Sequence, residues 1–142
     1  MNKYITLLIA LFVLVGGGLV YQQFFVKEEN KPVTTGAVRE FSVVAKKDEW
    51  KFEPDFIEVN RGDKIILHVR NEDKYDHGIA IDAFGISQRI PANQDITIEF
   101  VATQQGEFPF YCSVPCGDGM VDGIKRGHLD QVGKIKVMPL TP

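Results

Sequence analysis

Hydrophobic and polar positions follow two different patterns along this chain. From Tyr4 to Val26 the sequence contains no charged residue, and charged residues flank this run at Lys3 and at positions 27–29. From residue 39 onward, apolar and polar residues alternate in short runs. A membrane-spanning helix needs about 20 apolar residues, whereas alternation with a period of two is typical of half-buried strands. The pattern therefore predicts one membrane helix followed by a β-domain.

The alternating runs are short and are separated by turn-forming residues such as Arg61-Gly62-Asp63 and Gln105-Gly106. Short alternating strands at this spacing predict an all-β fold, either a β-sandwich or a barrel. No long run with a helical period occurs outside the N-terminal segment. The predicted strands include the segments 41–45, 57–59, 64–70, 96–100, 108–112 and 135–137.

The two patterns divide the chain into an N-terminal segment (1–26), a polar tether (27–38) and the outer domain (39–142). A cleaved signal peptide is the alternative to an anchor, because the glycines 16–18 supply small residues for a peptidase. Apolar residues continue through 19–26, which favours an anchor. Either reading places the outer domain outside the cytoplasm. We therefore expect a single-pass protein of the cell membrane with a periplasmic or outer-face domain.

Composition narrows the possible functions. The formal net charge is −3, from 16 Lys and Arg against 19 Asp and Glu, which argues against a nucleic-acid binder with a basic face. Two cysteines are too few for a disulfide scaffold. With only 3 His and 3 Met in the chain, each soft metal ligand can be considered individually.

The candidate chemistry is concentrated after the predicted strand 108–112. Cys112 and Cys116 lie four positions apart, followed by Met120 and then by His128. His77 lies upstream, at the start of another predicted strand. Thiolate, thioether and imidazole together are the donor set that favours copper. We therefore predict a copper site in which a loop supplies four of these side chains and a second strand edge supplies His77.

Other readings of these residues stay open at the level of sequence. Cys112 and Cys116 would form a disulfide in an oxidising compartment if they bound no metal. Asp76, adjacent to the upstream histidine, is a candidate to orient its imidazole, although acids are common in turns. Trp50, the single tryptophan, fits either the core or a point where electrons enter.

Two groups of residues resemble the cupredoxins. In the front half, the segment 52–63 (FEPDFIEVNRGD) is followed by Asn71 and His77; in the back half, Gly-x-Phe-x-Phe-Tyr-Cys at 106–112 is followed by a second cysteine. The resemblance covers about residues 39–138 and is strongest to the binuclear CuA domain of cytochrome c oxidase subunit II and nitrous-oxide reductase. It implies an all-β, Greek-key, cupredoxin-like β-sandwich preceded by one N-terminal transmembrane helix.

The resemblance also implies a ligand set. In CuA domains two thiolates bridge two copper ions, and each copper also takes one histidine, with a methionine sulfur and a backbone carbonyl as outer ligands. Cys112 and Cys116 match the bridging pair, and His77 matches the upstream histidine. Val114 occupies the position whose carbonyl is donated in the family.

The chain departs from the family after its second cysteine. The family pattern continues Cys-x-x-x-His-x-x-Met, whereas here Met120 occupies the histidine position and Gly123 the methionine position. We therefore expect Met120 and His128 to serve as ligands in exchanged order along a lengthened loop. The segment 77–87 (HGIAIDAFGIS) resembles nitrosocyanin, which makes a mononuclear site the nearest alternative.

These features predict a membrane-anchored, extracytoplasmic copper protein for electron transfer, acting as or like subunit II of cytochrome c oxidase. The cofactor is copper, with two ions in a CuA-like centre or one in a mononuclear site. The expected partner is a redox protein such as a cytochrome or an oxidase subunit, and any oxidase activity resides in that partner. The alternatives are a mononuclear copper-binding cupredoxin, either nitrosocyanin-like or a copper-delivery module, and a metal-free domain with a disulfide.

Overall fold

The computed structural model describes residues 2–25 and 36–139, which fall into two compact units, an N-terminal helix and a β-domain. Helix α1 spans Lys3–Phe24 and is capped by Asn2, whose side chain accepts a hydrogen bond from the backbone N–H of Tyr4. Within it, Lys3–Tyr21 has a mean hydropathy of 2.3. This helix is long and apolar enough to cross a membrane. A signal sequence near the N-terminus can have the same length and composition.

The β-domain begins with β1, whose first residue, Val38, was assigned to the predicted tether. Most of that tether, residues 27–35, lies outside the described residues. Two short 3₁₀ turns also occur, at Asp82–Phe84 and His128–Asp130. The strands of the described domain are β1 (Val38–Ala45), β2 (Phe52–Glu53), β3 (Phe56–Asn60), β4 (Lys64–Asn71), β5 (His77–Ile81), β6 (Ile86–Ile90), β7 (Asp95–Val101), β8 (Gly106–Tyr111), β9 (Asp118–Val121), β10 (Ile124–Gly127) and β11 (Val132–Met138).

The strands form two mixed sheets and a separate hairpin. One sheet has the order β2-β1-β4-β7, the other has the order β3-β11-β8-β5-β6, and β9 pairs only with β10. β1 runs parallel to β4 and β3 runs parallel to β11, while the remaining pairs are antiparallel. The predicted all-β sandwich fold with one N-terminal apolar helix is thereby confirmed.

The core lies between the two sheets and follows from the alternation in the sequence. On β4, Ile65, Leu67 and Val69 are buried, whereas their neighbours reach the opposite face. Phe52 of one sheet meets Phe110 of the other with ring centroids 5.4 Å apart. Each such fully buried apolar side chain contributes about 1.5–3 kcal/mol relative to an exposed one. This burial holds the sheets rigidly around the edge that carries the candidate site.

Three neighbouring strands converge at that edge. The register pairs Tyr111, the last residue of β8, with Ala80 of β5 and with Val132, the first residue of β11. Because both pairs are antiparallel, the start of β5, the end of β8 and the start of β11 lie at the same end of the sheet. His77 opens β5, and Cys112 follows β8 directly.

Candidate metal centre

Two thiols and two imidazoles meet at this edge of the sheet. The Sγ atoms of Cys112 and Cys116 lie 3.6 Å apart. His77 Nδ1 lies 3.8 Å from Cys112 Sγ, and His128 Nδ1 lies 3.7 Å from Cys116 Sγ. Each sulfur therefore faces its own imidazole nitrogen. His77, Cys112 and Cys116 are buried, and their potential ligand atoms all lie within 4.8 Å of one another.

The cysteine loop is held against β5 by a glycine. The backbone N–H of Gly78 donates to Cys112 Sγ at 3.4 Å. A Cβ at position 78 would lie 3.0 Å from the backbone nitrogen of Val114 and would overlap the Ser113 hydroxyl. The absence of a side chain at Gly78 therefore allows this close approach. It also leaves the carbonyl oxygen of Val114 3.1 Å from Cys112 Sγ, inside the candidate site.

Both cysteines are free thiols in the structure. Their sulfur separation of 3.6 Å is far longer than the bond of about 2.05 Å in a disulfide. The loop thus presents two separate sulfur donors rather than a closed bridge.

A buried carboxylate orients the upstream imidazole. Asp73 Oδ2 lies 2.7 Å from His77 Nε2, and both side chains are fully buried. Burial lowers the pKa of His77, but its hydrogen bonds to Cys112 and Asp73 outweigh burial and raise the pKa overall. Asp76, the orienting candidate from the sequence, instead binds the Arg89 guanidinium and the backbone N–H of Ala92. The residue that orients His77 is therefore Asp73.

The environment shifts the pKa values of the two thiols in opposite directions. Burial opposes ionisation of Cys112, but the hydrogen bonds from His77 and the Gly78 N–H lower its pKa below the ordinary value. Burial and the neighbouring charge of Cys112 raise the pKa of Cys116. Two adjacent thiolates without a cation repel each other, so a metal cation must displace the second proton.

Aromatic rings cover the same site from the side. Trp50 Nε1 donates to the backbone oxygen of Cys116 at 3.1 Å. Its ring stacks on Tyr75 at a centroid distance of 6.4 Å, and Tyr75 lies 5.4 Å from the His77 ring. Trp50 is thus a buried residue adjoining the site. These rings exclude water and hold the cysteine loop in place.

The segment after Cys116 differs from the lengthened loop expected from the sequence. It forms the β9–β10 hairpin, on which Met120 pairs with Lys125 and has a side chain 67% exposed to solvent. Beside Cys116 lies Gln131 instead, which is fully buried and whose Oε1 is 3.5 Å from the sulfur. Sequence reasoning missed Gln131, although a signal was present: it follows His128 by three positions, where the CuA pattern has its methionine.

The structure thus brings together five of the six predicted site residues. Sulfur, imidazole nitrogen and carbonyl oxygen donors in one partly shielded cluster fit copper, since thiolate and imidazole are the ligands that copper prefers. The sixth predicted residue, Met120, lies on the solvent-exposed side of the hairpin. The residues that meet are His77, Cys112, Val114, Cys116 and His128.

Sequence comparisons relate the chain to copper proteins. The family profile described as "Cupredoxin-like domain" matches residues 8–121. Nitrous-oxide reductase from Stutzerimonas stutzeri is 30% identical over 84 residues, which are 57% of this chain. The matched region is only 12% of the length of that reductase.

Solved structures show the same fold at lower sequence identity. Reduced auracyanin from Roseiflexus castenholzii is 16% identical with a TM-score of 0.58, over 73% of this chain and all of that one. A chain of a heme-copper terminal oxidase dimer is 17% identical with a TM-score of 0.55, over 96% of this chain and 97% of its own length. At these identities the similarity shows the fold alone.

Proposed function

This chain belongs to the cupredoxin-like domain family, and from that premise we propose that it transfers electrons through a CuA-like copper centre. The family and the His-Cys-Cys cluster identify a copper-binding domain. The observation that supports the binuclear form is the pair of free thiols 3.6 Å apart, each facing a different imidazole. A mononuclear cupredoxin site uses one thiolate with two imidazoles, so it is the second thiol that favours two metal ions.

Each residue has a role in this proposal. Cys112 and Cys116 would supply the thiolates shared by the two ions, His77 and His128 would each hold one of them, and the Val114 carbonyl would be an outer ligand. Copper, when bound, supplies one-electron redox chemistry. The chain supplies a fixed arrangement of donors, because His77 lies on β5 and the loop 112–116 is hydrogen-bonded to Gly78 of β5 and to Trp50.

The surface around His128 fits a docking site for a redox partner. His128 is partly buried and lines a surface groove of about 360 Å³ together with Cys112 and Val132. Leu129, the next residue, is 87% exposed, and Val132 is 51% exposed. Exposed apolar groups of this kind mark interaction sites. We therefore propose this face for the partner, a cytochrome or an oxidase subunit, because His128 connects the cluster to the groove.

The N-terminal helix is the proposed membrane anchor. Its apolar length suits a single span, and the proposed orientation puts the copper domain outside the cytoplasm. In this proposal any oxygen-reducing activity belongs to the partner.

Metal analysis combined with electron paramagnetic resonance tests this function. The copper-loaded full chain is expected to hold two coppers, with one unpaired electron shared between two nuclei and intense thiolate-to-copper absorption bands. Cys116→Ser should abolish the shared-electron signal, while Ser87→Ala, an exposed hydroxyl on β6, should leave it intact.

Three outcomes contradict the proposal in different ways. One copper per chain with a single-nucleus signal supports the mononuclear alternative. A Cys116→Ser variant that keeps the wild-type spectrum excludes the bridging role of that sulfur. A chain that shows no free thiols before reduction and takes up no copper afterwards is a metal-free domain.

A further inference from the structure

Gln131 lies beside Cys116 at the proposed copper centre. It lies between the turn His128–Asp130 and β11, and its side chain is fully buried. Its backbone oxygen accepts a hydrogen bond from the N–H of Cys112 at 3.0 Å. This bond links the segment that carries His128 to the end of β8, so the backbone of Gln131 is held beside Cys112.

The side-chain amide of Gln131 is poorly satisfied for a buried group. Its Oε1 has the thiol of Cys116 as a partner at 3.5 Å. Its Nε2 is the buried side-chain polar atom without a hydrogen-bond partner in the described part of the chain. Buried amides normally find partners because leaving them unpaired costs free energy. A leucine would fill this space without that cost, so the amide at position 131 calls for a functional explanation.

The spacing of the chain supplies that explanation. The CuA pattern places its methionine three positions after its second histidine, and Gln131 stands three positions after His128. The hairpin β9–β10 is then an insertion between Cys116 and His128, not part of the ligand order. Met120, on that hairpin, directs its side chain largely into solvent. A thioether is therefore absent from the position next to Cys116, and an amide oxygen occupies it.

We propose that Gln131 Oε1, rather than the sulfur of Met120, is the weak outer ligand of the copper bound by Cys116 and His128. This inference rests on the proposed function. An amide oxygen is a harder ligand than a thioether and favours Cu(II) over Cu(I), and weak ligands of this kind tune the potential of copper–thiolate sites. Gln131 thus lowers the reduction potential of the centre below the value that a methionine would give.

The sign of the potential change separates ligation from hydrogen bonding. Rotation of the amide would direct Nε2–H toward the Cys116 sulfur, and a donor to a thiolate withdraws electron density and raises the reduction potential. Removal of a hard oxygen ligand raises the reduction potential. Removal of a hydrogen-bond donor to the thiolate lowers it. The two roles therefore predict opposite effects for the same substitution.

The test is a series of variants in the copper-loaded full chain, read by reduction potential and electron paramagnetic resonance. Gln131→Met and Gln131→Leu should raise the potential and change the copper hyperfine splitting. Gln131→Glu, which places an anionic oxygen at the same position, should lower the potential. Met120→Leu, the matched control on the hairpin, should change neither quantity.

A Gln131→Leu variant with a lowered or unchanged potential overturns the ligand assignment. A shift in Met120→Leu equal to that in the Gln131 variants assigns the role to Met120 instead. Gln131→Met and Gln131→Glu preserve side-chain length, so the comparison stands if Gln131→Leu fails to fold. A wild-type chain without thiolate-copper bands refutes the proposed function. If the wild-type chain shows these bands but the Gln131 variants change neither the reduction potential nor the hyperfine splitting, only this inference is refuted.

Discussion

At the scale of single residues, the buried contact between Asp73 and His77 has the clearest chemical consequence. The carboxylate, 2.7 Å from Nε2, favours a proton on that nitrogen and fixes the ring with Nδ1 facing the site, where it would be available to a metal. Asp73 is itself fixed, because its Oδ1 accepts from the backbone N–H of Asp48 and its own N–H donates to Asn71. The imidazole is therefore oriented before any metal arrives.

Substitution Asp73→Asn should weaken Cu(I) binding by about 10- to 100-fold, the usual loss when a residue supporting a metal ligand is changed. The amide keeps the shape of the side chain but no longer favours the required tautomer of His77. Competition titration against a Cu(I) chelator measures the change. Asp95→Asn, at an exposed ion pair with Arg70, is the matched control. Equal affinities in the two variants would rule out the orienting role of Asp73.

Residue identity and spacing suggested the two cysteines and two histidines that meet, and the resemblance to CuA domains added the Val114 carbonyl, but neither predicted the supporting residues. The sequence suggested Asp76 because it adjoins His77, yet neighbours along an extended chain point to opposite faces. Asp73 reaches the His77 imidazole because the chain turns between Asp73 and the start of β5. Gln131 was missed because Met120 already completed the expected ligand inventory.

At the scale of elements, the β9–β10 hairpin is the main departure from the predicted loop. Its turn residues, Asp122 and Gly123, both have positive φ angles of 50° and 80°. Asp-Gly at the centre of a two-residue connection is a strong hairpin signal. The four-residue strands around it carry no clear alternation, and the turn signal alone would have located this element.

The hairpin also packs against the single tryptophan. A Cβ at Gly119 would overlap Cη2 of Trp50 and would lie 2.7 Å from Cζ3. Gly119→Ala should therefore destabilise the domain by about 1–3 kcal/mol, as overpacking does, and shift the Trp50 emission. Denaturant unfolding and fluorescence measure both effects. Met120→Ala, at the exposed neighbouring position, is the control, and matching behaviour of the two variants would contradict the packing argument.

At the scale of the whole molecule, the period-two pattern predicted the sandwich but not the order of its strands. The parallel pairs β1–β4 and β3–β11 join segments far apart in sequence. Alternation determines which face of a strand is buried, not which strand lies beside it. Strand β5 is buried along its whole length, so it carried no alternation that would mark a single face.

The division into helix and β-domain yields a prediction about location. A chain that lacks residues 1–35 should remain in solution and keep the copper spectrum, because the sandwich core lies wholly within the outer domain. The full chain should stay with membranes during an alkaline carbonate wash. Mass spectrometry of the mature N-terminus provides the check, since a chain that begins after the apolar run would identify a cleaved signal peptide.

The base of the hairpin has a consequence for how this domain can diversify. Gly127 pairs with Asp118, and the N–H of His128 donates to the oxygen of Gly117 at 3.0 Å, so the chain leaves and returns at one point. Extra residues at the Asp122-Gly123 tip would lengthen the β9–β10 hairpin without altering the distances between the donors of the candidate site. Descendants of such a protein can therefore acquire new recognition sequences there while the cluster of donors remains unchanged.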